Sequence, residues 1–285
     1  MVHFSRIRAF MSELLPSMKG KVVLITGATR GIGRAGAEAM AALGATLILV
    51  GRDEGRLQET KAACETRGAG GVRVYRADLS LRKAVEELAH RVTAYEPKLD
   101  VLWNNAGGYF AKRIVTAEGY EKTWAMNHLA YFDLTQLLFP LLEKSDDPRV
   151  LCTASEAHRW GKMAWDNLQG EKKWDGWKAY CNSKLANLLY VAEQGRRLGS
   201  SPIRVCAVHP GLVNSAFGDE NTELKSVAFL WLKRTFGRTN EQGADTAVWL
   251  SAREERPIQG GYYSNRAEKL PSAAARILTD AQRLW

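Results

Sequence analysis

Cysteine is scarce and scattered in this sequence. Cys64, Cys152, Cys181 and Cys206 are the four among 285 residues, with no Cys-x-x-Cys pair. That excludes a disulfide scaffold or a zinc ribbon and suits a reducing, cytoplasmic compartment. The five histidines form no ligand-spaced cluster with the cysteines, so no metal is expected. No apolar run approaches the roughly 20 residues of a membrane span; Ala39 to Val50 comes nearest and contains Gly44 and Thr46. Repeats and low-complexity linkers are absent too, which leaves one large α/β domain as the simplest reading of the length. Charge of one sign is in excess: 40 Lys and Arg against 31 Asp and Glu give a net +9. The excess draws anions, a phosphorylated cofactor or an acidic lipid among them, unless it is only scattered solvated charge. Because the basic residues come in twos, with no accompanying motif, nucleic acid is not an expected partner.

Residues 1–19 precede the first strand. Val2, Phe4, Ile7, Phe10, Met11, Leu14 and Leu15 recur at helical spacing. Two readings stay open: an amphipathic helix packed on its own domain, or one lying peripherally on a membrane surface. From Lys21 short apolar runs alternate with helical periods. Strands are expected at Lys21–Thr26, Ala45–Val50, Val72–Arg76, Leu99–Trp103, Arg149–Thr153, Ile203–Val208 and Gly260–Ser264. Helices are expected at Gly31–Leu43, Asp53–Arg67, Ser80–Tyr95, Ala117–Lys144, Ala179–Leu198 and Glu241–Ser251. Uniformly apolar strands separated by helices predict a parallel sheet covered on both faces. Residues 20–285 thus read as a single doubly wound, Rossmann-type α/β domain, with ligands at the carboxyl ends of its strands.

The first strand runs into Thr26-Gly27-Ala28-Thr29-Arg30-Gly31-Ile32-Gly33 and then a helix. Glycines there permit a tight turn and let backbone approach a pyrophosphate at the helix N-terminus, while Gly33 lets the helix pack close. The second strand ends at Gly51, where an NAD-selective site would carry a carboxylate on the ribose 2′-hydroxyl. Arg52 follows it and Arg30 lies in the turn. Two guanidiniums and no carboxylate favour the 2′-phosphate of NADP(H), with Asp53 capping the next helix. Asp78 and Leu79 follow the third strand, where the carboxylate either holds the adenine amino group or caps the helix after Ser80. Asn105, Ala106 and Gly107 follow the fourth, small enough for a ribose to lie on the backbone.

In Tyr180-Cys181-Asn182-Ser183-Lys184 a phenol and an ammonium share one helix face. A neighbouring ammonium, like a positively charged nicotinamide, lowers a phenol's pKa from its usual value near 10, preparing it to exchange a proton with a carbonyl oxygen near neutral pH. Ser155 follows the fifth strand, where its hydroxyl can polarise the same oxygen. Asn127 sits inside a helical stretch it does not favour, which points to a specific role such as holding a water beside Lys184. His209-Pro210-Gly211-Leu212-Val213-Asn214-Ser215 after the sixth strand either wraps the nicotinamide amide or simply turns the chain.

Together these residues resemble the short-chain dehydrogenase/reductase family from Lys21 to about Ser264. The segments Asn167–Lys172, Ala179–Asn187 and His209–Gly211 look like its retinol dehydrogenase-like branch. The resemblance implies Tyr180 as general acid/base, Lys184 as the residue holding the ribose and tuning the phenol, Ser155 as the carbonyl-orienting serine and Asn127 as the proton-relay asparagine. It implies cofactor contacts at Gly27, Thr29, Arg30, Gly31, Ile32, Gly33, Arg52, Asp78, Leu79, Asn105, Ala106, Gly107, Tyr180, Lys184, Pro210, Gly211, Val213 and Ser215. The expected activity is NADPH-dependent interconversion of a carbonyl and an alcohol on a small lipophilic substrate, retinoid-, steroid- or lipid-aldehyde-like, with a homodimer compatible. The alternative is a non-catalytic NADP sensor or scaffold on the same fold. Ala154 departs from the branch, which usually pairs a serine there with Ser155. Residues 212–240, with Phe217, Phe229, Leu230, Trp231 and Phe236, look like the family's substrate lid. Trp160, Trp165, Trp174 and Trp177 form either an aromatic wall over an apolar substrate or the packing of an insertion.

Overall fold

The computed structural model describes residues 15–213 and 237–285. The strands are Val22–Thr26 (β1), Thr46–Gly51 (β2), Gly71–Arg76 (β3), Val101–Asn104 (β4), Arg149–Thr153 (β5), Arg204–Val208 (β6), Tyr262–Ser264 (β7) and Ala267–Glu268 (β8). They form one sheet in the order β3-β2-β1-β4-β5-β6-β7-β8, parallel except for the β7–β8 hairpin. Successive side chains of a strand point to opposite faces, and here both faces are dry. Val22 and Leu24 join a core with Ile48, Leu102 and Val150; Val23 and Ile25 join another with Leu47, Val101 and Leu151. Burial on both sides explains why the strands read as unbroken apolar runs.

The longer helices are Gly31–Ala42 (α1), Glu54–Thr66 (α2), Arg82–Tyr95 (α3), Ala130–Leu142 (α5), Gly176–Leu198 (α6) and Asn240–Ala252 (α7). The expected helix Ala117–Lys144 is broken. Val115 and Glu121 pair across a turn, and the Glu121 carboxylate accepts from the Thr123 and Trp124 N–H groups. A short helix, Lys122–Trp124 (α4), therefore starts later than its periodicity suggests and runs through a π-helical turn, Ala125–Leu129, into α5. The last helix, Leu278–Leu284 (α8), and β8 are additions that the apolar pattern did not announce.

Helix α8 packs against α6. Trp285 stacks on Tyr190 at 6.1 Å, meets Phe132 edge-on at 5.1 Å and lies under the Arg197 guanidinium at 4.4 Å. At the other end of the chain, Leu15 and the buried Met18 pack on the domain, where the Met18 N–H donates to the Leu43 carbonyl at 2.8 Å. Residues 1–14 of the 1–19 segment, and most of the 212–240 lid with Ser215 and its five named aromatic and leucine residues, lie outside the described residues. Among the described residues no helix is long and apolar enough to cross a membrane. Strand order reverses between β1 and β4, so the loops at their carboxyl ends diverge and open a crevice.

Candidate active site

A cleft of about 590 Å³ occupies that crevice. Gly27, Thr29, Arg30, Gly31, Ile32 and Gly33 line it from the turn before α1, and Asn105, Ala106 and Gly107 from the loop after β4. Side chains or a neighbouring loop cover the first N–H groups of most helices: Asp53 caps α2, Asp175 caps α6 and Thr239 caps α7, while Glu118 accepts from the Arg82 and Lys83 N–H groups of α3. Helix α1, by contrast, has Arg30 at its N-cap and no side-chain cap. Its N-terminal dipole thus faces the cleft with donors aimed at an anion. A Cβ on Gly33 would lie 2.3 Å from the Gly27 carbonyl oxygen, so only glycine lets α1 approach so closely. The opposite wall is tied to β1 by Thr26, whose Oγ1 accepts from the Asn105 and Ala106 N–H groups at 2.8 and 2.9 Å. Thr26 carries this role through tertiary geometry that spacing does not reveal.

At the far end of the cleft stand Gly51, Arg52, Asp53 and Arg56. The Asp53 side chain accepts from the Arg56 N–H at 3.1 Å and pairs with its guanidinium at 3.4 Å, so the one nearby carboxylate serves the helix start. Arg30, Arg52 and Arg56 all line the cleft; Arg56 is a basic residue the sequence reading missed, brought back by the first turn of α2. A side chain at Gly51 would put its Cβ 2.4 Å from Thr29 Cγ2. Ala77 and Leu79 line the adjoining wall. Asp78 does not: its Oδ1 accepts from the Ser80 N–H and hydroxyl at 3.0 and 2.8 Å, shaping the turn before α3.

Tyr180, Lys184 and Ser155 do not line this cleft; α6 approaches it at Gly107, where a Cβ would lie 3.7 Å from Lys184 Nζ. Tyr180 is buried, at 8% exposure, and the Ser155 hydroxyl acts on its phenol. Ser155 is itself placed by β5, at whose end its Oγ accepts from the Ala157 N–H at 3.2 Å to begin the Glu156–Trp160 3-10 helix. Burial pushes the Tyr180 phenol up to about 12, with the Ser155 hydroxyl pulling the other way. This reverses the expectation that a neighbouring ammonium would lower it. Lys184 Nζ lies 5.8 Å from the Tyr180 ring centroid and donates to the Thr153 carbonyl at 2.9 Å. Burial holds its ammonium down to about 8, because no carboxylate accompanies it inside. Asn127 lies in the π turn, but its amide does not simply reach for a water. Its Oδ1 accepts from the Gly108 N–H at 2.8 Å, and its Nδ2 donates to the Gly108 carbonyl and to Ser183 Oγ. The asparagine clamps the β4 loop against α6.

The four tryptophans divide into two uses. Trp165 and Trp174 are structural: Trp165 Nε1 donates to Asp280 and lies under Arg283, and Trp174 Nε1 donates to the Ala111 carbonyl. Trp160 and Trp177 stay exposed, at 66% and 47%, and Trp177 sits 5.9 Å from Tyr180 while Tyr109 meets that ring edge-on at 6.2 Å. An aromatic row therefore leads from the surface to the phenol. After β6, Val213 packs with Ile32 against Gly243 of α7, which brings that loop to the glycine turn. Gly211 instead lines a separate cavity of about 390 Å³ with His209 and Arg238, and Pro210 is in neither lining.

A dinucleotide crevice meeting a phenol, a hydroxyl and an ammonium defines a nicotinamide-dependent oxidoreductase. The chain belongs to the short-chain dehydrogenase family, whose model matches residues 21–225. It is 38% identical to human retinol dehydrogenase 11 over 94% of this chain and 84% of that one. It is 36% identical to a Streptomyces protein assigned as a daunorubicin C-13 ketoreductase, covering 94% of this chain and 91% of the other. Among solved structures, an Escherichia coli short-chain dehydrogenase complexed with NADPH superposes with a TM-score of 0.67 at 25% identity, over 88% of this chain and 98% of that one.

Proposed function

We propose that the protein is an NADP(H)-dependent carbonyl reductase or alcohol dehydrogenase for a lipophilic substrate, with Tyr180 as its general acid/base. The observation that carries the reading is the buried Tyr180 phenol and the Lys184 ammonium one helical turn apart on α6, 5.8 Å from ring centroid to Nζ, with Lys184 close to Gly107 of the cleft. Gly27–Gly33 and the α1 N-terminus would hold the pyrophosphate; Arg30, Arg52 and Arg56 the 2′-phosphate; Ala77, Leu79 and the Asp78 turn the adenine; Asn105 to Gly107 and Lys184 the nicotinamide ribose; and Val213 the base of the nicotinamide side, next to Pro210 and Gly211. The nicotinamide supplies or accepts the hydride when bound. Ser155 fixes the substrate oxygen beside the phenol. Tyr180 gives that oxygen its proton in reduction and takes it back in oxidation. A phenol held near 12 is protonated at neutral pH, which suits it to the donating direction. The tryptophan row supports a bulky apolar or aromatic substrate, as do the retinol and daunorubicin in the names of the relatives.

Replacing Tyr180 by Phe keeps the shape of the site and removes the proton. Turnover should fall by about 10²–10⁴-fold, while the NADPH dissociation constant, followed by fluorescence titration, stays within about threefold. A Tyr180→Phe protein reducing lipophilic aldehydes at near wild-type rate would refute the acid. A wild-type protein that binds NADPH but oxidises it with no aldehyde or ketone would refute the enzyme and favour a sensor.

A further inference from the structure

The face of α6 that presents Tyr180 and Lys184 continues through Ser183 and Asn187, at helical spacings that keep all four on one side. Ser183 Oγ donates to the Tyr180 carbonyl at 2.8 Å and accepts from Asn127 Nδ2 at 3.0 Å. Asn187 is fully buried. Its Nδ2 donates to the main-chain carbonyl of Asn127 at 2.9 Å, and its Oδ1 lies 3.2 Å from His128 Nδ1. With the amide nitrogen committed to a carbonyl, the amide oxygen must face the imidazole, and the network assigns the ring hydrogen to Nδ1. Burial holds His128 down to about 4, so the ring is neutral through the physiological range.

The π turn makes this contact consequential. The Ala130 N–H reaches back to the Ala125 carbonyl, five residues away, so the turn is wider than α and its geometry is set by what grips it from outside. Asn127 points out of that turn toward Gly107. A Cβ built on Gly107 would meet Asn127 Oδ1 at 3.2 Å and Lys184 Nζ at 3.7 Å, so the two groups converge on one spot. Lys184 spends one N–H on the Thr153 carbonyl and keeps two. The Asn127 main-chain carbonyl is gripped from α6 by the Asn187 amide.

We propose that Asn187, backed by His128, is a positioning residue that fixes the Asn127 main chain so that proton return to Lys184 and Tyr180 stays fast. The inference rests on the reading of Tyr180 and Lys184 given above. In reduction the phenol loses its proton to the substrate oxygen and recovers one from the Lys184 ammonium; the resulting amine takes one back from solvent at the spot beside Gly107 where it converges with Asn127 Oδ1. Without Asn187 the π turn loses this outside grip and Asn127 can shift relative to Lys184 while its amide still holds Gly108.

Asn187→Leu removes donor and acceptor at nearly constant volume. In the intact protein kcat should fall about 10–100-fold, with KM and the NADPH dissociation constant within about threefold. The solvent deuterium isotope effect on kcat should rise and its pH profile should shift. His128→Leu should give the same signature more weakly, and His128→Gln, which restores an N–H donor, should recover it. A folded Asn187→Leu protein with wild-type kcat, isotope effect and pH profile would overturn the proposal, as would equal losses of kcat and NADPH affinity. Should Asn187→Leu fail to fold, His128→Leu and His128→Gln decide: indistinguishable kinetics overturn it. Tyr180→Phe assayed in parallel separates the two readings, since an active Tyr180→Phe sinks the mechanism and an inactive one beside a normal Asn187→Leu sinks this inference alone.

Discussion

Gly51 and Arg52 show what a single residue decides here. A side chain at Gly51 would bring its Cβ 2.4 Å from Thr29 Cγ2, so a carboxylate-bearing residue there would require Thr29 to move, which supports the proposed preference for NADP(H). The adjoining Arg52 offers a guanidinium where a 2′-phosphate would lie. Charge-assisted hydrogen bonds are worth about 1.5–3 kcal/mol; Arg52→Ser should therefore raise the NADPH dissociation constant about 10–100-fold and leave that for NADH within about threefold. Parallel titrations with both cofactors check this, and an equal loss for both would remove the phosphate assignment. Arg30 and Arg52 were legible in the sequence because each adjoins a strand end. Arg56 was not, because only the first turn of α2 carries it back. The direction of the Tyr180 shift was equally hidden: spacing shows the ammonium on the same face, but not the desolvation that outweighs it.

Among the elements, α1 holds the most exacting position. Its uncapped N-terminus and its contact with the turn before it depend on one missing methyl group. Gly33→Ala should push α1 off the turn, since the clash is with backbone and cannot be relieved by a rotamer. Overpacking of this kind costs about 1–3 kcal/mol, so a lower melting temperature should accompany an NADPH affinity weakened at least about tenfold. Calorimetric titration and a thermal melt would show both, and unchanged binding would contradict the close approach. The strands and this helix were readable because periodicity follows burial. The break in Ala117–Lys144 was not, since the Val115–Glu121 pairing and the Glu121 cap override an apolar pattern that runs straight through them. Asn127 as a poor helix former was the sole clue to the π turn, and it pointed to the right residue with an incomplete account of its partners.

At the scale of the whole molecule, the buried histidines set a pH limit. Burial lowers His128 and His209 from about 6.5 to about 4. Between those values the unfolded chain binds protons that the folded chain refuses, so stability is complete above about 6.5 and declines as pH falls toward 4. A shift of this size corresponds to about 3 kcal/mol per histidine. Urea midpoints should therefore drop steeply across that interval, and His209→Gln should flatten part of the slope; a midpoint independent of pH from 7 to 4 would refute the burial argument. The seat of Trp285 against Tyr190 and Phe132 has its own consequence. The helix bearing Tyr180 and Lys184 leaves the ribosome well before the segment that covers its flank, and domains form as their chain emerges. During synthesis that apolar flank stays bare until Trp285 is delivered, so the nascent chain presents a surface that the folded protein hides.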